Sequence, residues 1–216
     1  MKLKNNFILL MASAVLVSGL FAFVEPNITG AATDTDDVVV NQAVTSEITL
    51  SAPSDITMTA LSTTQNTAVG TAAWTVITNN DDGYTLTLHA STAPALARSG
   101  GGGNIVDYTP AVSETPETWS VPASNVEFGF SAFGTDVPTG TWGTDSDSIA
   151  GADVPSAGLK WRDFDLTGSA DQIATAALPT TTTGTVANMC VATEQDTTFA
   201  VAGSYSATIT ATATTL

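Results

Sequence analysis

From Tyr205 to Thr214 the chain alternates without a break, with Tyr205, Ala207, Ile209, Ala211 and Ala213 on one parity and Ser206, Thr208, Thr210, Thr212 and Thr214 on the other. Successive side chains of a strand point to opposite faces, so this stretch has one apolar face and one hydroxyl face. A helix would scatter the same residues around its circumference, which commits this part of the chain to a sheet. Only Thr215 and Leu216 follow in the sequence, so pairing within the domain or with a neighbouring molecule is expected to hold the strand. With Gly203 turning into it, the segment reads as an integral strand closing a sandwich, and the first strand reads as the mobile one.

The same period recurs upstream. Val38, Val40, Val44, Ile48 and Leu50 share a parity between Asp37 and Leu50, Pro53 interrupts, and Ile56 and Met58 resume the alternation. Ala72 to Thr78 and Tyr84 to His89 flank Asn79-Asn80-Asp81-Asp82-Gly83, a turn sequence that predicts a β-hairpin with Trp74 and Val76 facing Tyr84, Leu86 and Leu88. Further strands are expected at Val126 to Phe130, Val186 to Val191 and Thr198 to Val201, with one short helix over Ala170 to Leu178. The four glycines from Gly100 to Gly103, and Pro110, Pro116 and Pro122, mark a long loop insertion around 93–158. The expected fold is all-β, an antiparallel sandwich of Ig-like or jelly-roll-like type with long Gly/Pro/Asp-rich loops.

At the other end, Lys2 and Lys4 precede an uncharged apolar run from Phe7 to Val24, and Gly30, Ala31 and Ala32 lead into Asp34, Asp36 and Asp37. Basic start, apolar middle and small residues at the cut are the layout of a signal peptide over 1–32, a hydrophobic signal helix ahead of a single domain over 33–216. The run is also long enough to act as an anchor if retained. Both alternatives place the domain outside the cytoplasm, secreted or at the cell surface. Of five Lys and Arg against 21 Asp and Glu, only Arg98, Lys160 and Arg162 lie beyond this leader, and the net charge is -16. Such a surface repels phosphates, which argues against nucleic acid as a partner.

No catalytic constellation stands out, and the chain is not expected to be an enzyme. The single histidine, His89, lies on the polar parity of its strand, away from other ligand types. No serine sits in a nucleophile-elbow sequence, and Asp163 with Asp165 reads as a solvated turn rather than a glycosidase pair. Cys190 is the only cysteine, so it forms no intramolecular disulfide and is expected to be a small buried apolar residue. No cofactor is expected. The weak metal candidates are Asp145, Asp147 and Asp153, oxygen ligands of a kind that Ca2+ accepts, although their spacing matches no EF-hand loop.

The runs Ile48 to Met58, Trp74 to Leu88, Glu127-Phe128-Gly129-Phe130-Ser131, Lys160-Trp161-Arg162 and Gly203 to Thr214 resemble uncharacterised exported proteins of ultrasmall bacteria (Patescibacteria) over most of the domain. That resemblance implies a surface location and no particular activity. Trp74-Thr75-Val76 and the terminal strand are more weakly similar to WxL-type cell-surface domains of Gram-positive bacteria, with Val76 in place of leucine and no tryptophan in the final strand.

Two functions fit these features. The first is a structural subunit of an extracellular filament or surface layer, self-associating into a homopolymer by donor-strand addition, with Val38, Val40, Val44, Ile48 and Leu50 as the assembly residues. The second is a monomeric adhesin or a module binding glycan, cell wall or another cell surface, with Trp119 and Trp142 stacking on sugar rings.

Overall fold

The computed structural model describes residues 33–151 and 153–216. The expected signal peptide over 1–32 lies outside the described residues. Twelve strands follow in chain order: β1 Ile48–Leu50, β2 Thr67–Thr78, β3 Tyr84–Ala90, β4 Ala97–Arg98, β5 Val106–Asp107, β6 Val126–Gly134, β7 Ile149–Gly151, β8 Val154–Pro155, β9 Asp171–Ala176, β10 Thr185–Gln195, β11 Tyr205–Ser206 and β12 Ile209–Thr215. One helical turn, Thr139–Trp142, and a 3-10 turn, Thr167–Ser169, complete the described elements. Residues Val44–Leu216 form one compact unit.

The fold is an antiparallel β-sandwich. A five-stranded sheet runs in the order β1-β2-β10-β6-β5, and a three-stranded sheet in the order β12-β3-β9. All pairings in them are antiparallel except that of β5 with β6. The core between them takes Trp74 and Val76 from β2, Leu86 and Leu88 from β3, Phe128 and Phe130 from β6, Ile173 from β9, and Met189 and Val191 from β10. A second, smaller core covers the outer face of the larger sheet, where Tyr108, Leu159 and Trp161 pack over Val69, Cys190 and Ala192. The insertion around 93–158 is therefore not loop alone, because it supplies β4 to β8 and much of this outer layer. Cys190 is fully buried there, and burial raises its thiol pKa to about 12.

Four sequence expectations are corrected. The predicted hairpin over Ala72 to His89 does not pair with itself. Both edges of β2 at its C-terminal half are taken, by β1 and β10, so the Asn79 to Gly83 turn carries the chain across to the other sheet. Gly83 permits that crossing with φ +82. The five hydrophobic residues predicted to meet do share one core, but across two sheets. The helix expected over Ala170 to Leu178 is instead strand β9, with Ile173 and Ala174 buried. Thr198 to Val201 forms no strand, and the strand expected from Asp37 to Leu50 is confined to Ile48–Leu50.

Candidate functional site

The terminal strand lies at a sheet edge: among the described residues β12 pairs only with β3, and β11 only with β4. Ser99 N–H donates to Ser204 O, Ser91 N–H to Thr208 O, and Leu216 N–H to Gly83 O. In an antiparallel ladder both backbone groups of a residue point the same way, alternating along the strand. The even-numbered residues from 204 to 216 therefore bond toward β3 and β4. The N–H and C=O groups of Tyr205, Ala207, Ile209 and Ala211 face the opposite side, where no strand pairs with them among the described residues. Their side chains are half-buried against the main core.

The other rim of the opening is a strap from Ser51 to Leu61. Extending the β1–β2 register, which pairs Leu50 with Val76, sets Ser51 opposite Thr75, Pro53 opposite Ala73 and Ile56 opposite Gly70. Ser51 N–H still donates to Thr75 O at 3.0 Å, and Thr75 N–H to Ser51 Oγ at 2.8 Å. Pro53 has no N–H for the next rung. From Ala52 to Leu61 the strap follows β2 without a backbone hydrogen bond among the described residues. It is held by Ile56 and Met58, half-buried against the core above Gly70.

Between strap and terminal strand lies an open groove of about 1420 Å3. Its floor is the inner face of the larger sheet, including Ala72, Trp74, Phe128, Met189 and Val191, and one wall is Tyr205 to Ala211. A channel with an apolar floor beside an unpaired strand edge can accept one extended segment. Main-chain hydrogen bonds would hold it, and alternate side chains would turn onto the floor.

The five assembly candidates divide. Ile48 and Leu50 sit in β1, half-buried and paired with Thr78 and Val76. Val38, Val40 and Val44 are 84%, 85% and 79% exposed and belong to no strand. Trp142 is 2% exposed and packs on Phe130 at 5.1 Å between ring centroids, which corrects the expectation of a sugar-stacking face there. Trp119 is half-buried, stacks on Tyr108 at 4.6 Å and meets Trp161 edge-on at 5.3 Å. Its Nε1–H donates to Glu194 Oε2 at 2.5 Å, so it acts as a lid over the outer core.

The structure does not bring Asp145, Asp147 and Asp153 together as a three-carboxylate cluster. Asp145 accepts from Ser156 Oγ, Asp147 accepts from the Ile149 N–H, and Asp153 occupies a turn with φ +53. The carboxylates that do converge are Glu114, Asp165 and Asp171. Arg162 gathers them, its Nη2 lying 2.5 Å from Glu114 and 2.9 Å from Asp165 and its Nη1 2.6 Å from Asp171, with Asp163 at 3.6 Å from Nε. The guanidinium is the cation of this cluster, so the arrangement fits a structural ion knot better than a metal site. Two backbone hydrogen bonds between Arg162 and Phe130 fix it against β6. Burial raises the Asp171 carboxyl pKa to about 7 despite Arg162, because the guanidinium is shared among four carboxylates. The sequence signal is Arg162 itself, one of only three bases past residue 32, set between Trp161 and Asp163.

In comparisons with known proteins, no family model matches the chain, and no curated protein or solved structure matches it either.

Proposed function

We propose that this chain is a non-enzymatic structural subunit of an extracellular filament or surface layer, and that copies join by strand addition through the Asp37 to Val44 segment. The observation that carries this reading is the exposure of Val38, Val40 and Val44, three branched apolar side chains on one parity of a segment that belongs to no strand. A row of this kind is costly to leave in water, and each valine contributes roughly 1.5 to 3 kcal/mol when buried. The open groove supports the reading, since it gives such a row an apolar floor to cover. Contacts made head to tail do not close on themselves, so they propagate into fibres.

The test is electron microscopy of protein recovered from cells that express the full chain. Filaments are expected from the unaltered protein and their loss is expected in the triple variant Val38→Ser, Val40→Ser, Val44→Ser, with no change in melting temperature. Protein that stays monomeric at high concentration, with and without Ca2+, would refute the filament. Unchanged fibres in the triple variant would refute this segment as the donor.

A further inference from the structure

We infer that the acceptor for the Val38 to Val44 segment of a second copy is the open edge from Tyr205 to Ala211, and that the segment lies parallel to it with its acidic start beside Arg98. This inference rests on the filament reading and identifies the surface through which it would operate.

The choice of edge follows from comparing the free edges of the two sheets. Natural proteins blunt exposed edges with charge, proline, bulges or short length. β1 has three residues and soon meets Pro53, β5 has two, and the far side of β9 receives Asp136, whose carbonyl accepts from Thr175 N–H. The unpaired side of β2 is shadowed by the strap, with Ile56 seated above Gly70. The stretch from Tyr205 to Leu216 contains no charged residue and no proline, and although β11 has only two residues, the seven-residue β12 continues the same side of the chain. An edge left in that state is a template for another strand, and here it borders the groove.

The occupant matches the slot in length and shape. Val38 to Val44 and Tyr205 to Ala211 are equal in residue number, so one extended segment spans the whole edge. In a parallel register that begins with Val38 beside Tyr205, Val40 falls beside Ala207 and Val44 beside Ala211. The bulkier side chains then fill the space left by the two alanines.

Charge sets the direction. Arg98 pairs with Tyr205 across β4 and β11, at the start of the open edge. Its guanidinium donates to the carbonyls of Gly101, Gly102 and Ala202, and no carboxylate pairs with it among the described residues. Asp34, Asp36 and Asp37 immediately precede the donor valines. The parallel arrangement brings them to Arg98, whereas the antiparallel one carries them toward the end where Leu216 bonds to the turn that holds Asp81 and Asp82.

Disulfide trapping in the full chain tests this, in a Cys190→Ala background whose fold is checked by circular dichroism. Val44→Cys combined with Ala211→Cys is expected to give a ladder of covalent oligomers on oxidation of assembled protein, while Val38→Cys with Ala211→Cys gives none. Linking of the second pair instead would overturn the parallel direction. Filaments in which neither pair links would overturn the edge while leaving the filament reading intact. Absence of filaments from the unaltered chain would overturn both together.

Discussion

Ile56 lies so close above Gly70, on the inner face of β2, that a Cβ at Gly70 would collide with its Cγ2. The strap is held there by side-chain packing alone, since Ala52 to Leu61 has no backbone hydrogen bond among the described residues. Gly70→Val is therefore expected to lift the strap, with an overpacking cost of about 1–3 kcal/mol. Thermolysin should then cut between Ile56 and Leu61 markedly faster than in the unaltered protein. Equal cleavage rates would show that the strap does not depend on this contact.

Pro53 explains why the strap is not a strand. Its position opposite Ala73 calls for an N–H directed at β2, which proline lacks. Replacing it with threonine restores the donor and a residue suited to strands. Pro53→Thr is expected to extend β1, detected by hydrogen exchange as new protection at the substituted residue's own amide and at that of Asp55. Unchanged exchange at both amides would place the cause elsewhere in the strap.

The sheet faces are legible in the sequence because burial follows a period of two: β3 alternates buried with half-buried residues along its whole length, and β12 alternates half-buried with exposed ones. Partnership is not legible, because period says which face is apolar but not which strand lies alongside. That is why Ala72 to His89 reads as a hairpin, and why the pattern of β12 does not say that one of its sides is left without a strand. Strand β9 is hidden differently: Asp171, Ile173 and Ala174 are all buried, so it shows no clean alternation. Of the candidate site, the valine row is visible as a pattern, whereas the groove depends on the separation of two sheets. The Arg162 knot draws Glu114 from far along the chain, which local spacing does not encode.

Trp119 separates a lid from a ligand platform. Trp119→Ala removes the stack on Tyr108, the edge contact with Trp161 and the bond to Glu194. Large aromatic deletions of this kind cost about 3 kcal/mol, and calorimetry is expected to show a clear fall in melting temperature. A variant with unaltered melting but lost binding to glycan arrays would favour the adhesin over the lid.

The buried carboxyl of Asp171 makes stability depend on pH in a direction opposite to that of an ordinary ion pair. Its pKa is raised to about 7, with burial the largest cause, Arg162 and the Asp165 N–H opposing it, and the charges of Asp165 and Asp163 adding to it. In the unfolded chain an aspartate titrates near 3.9. Between these values the folded protein holds a proton that the unfolded chain has released, so stability falls as pH rises through the window, by up to about 1.4 kcal/mol per pH unit. Asp165 is shifted upward by burial as well and acts in the same direction. Glu114, held low by its bond to Arg162, adds stability that is lost only under more acid conditions. The melting temperature is thus expected to be higher at pH 5 than at pH 7.5, and Asp171→Asn should flatten that difference while leaving any contribution from the overall charge of -16 in place. An equal slope in the variant would mean that Asp171 stays ionised throughout, with Arg162 outweighing the cost of burial.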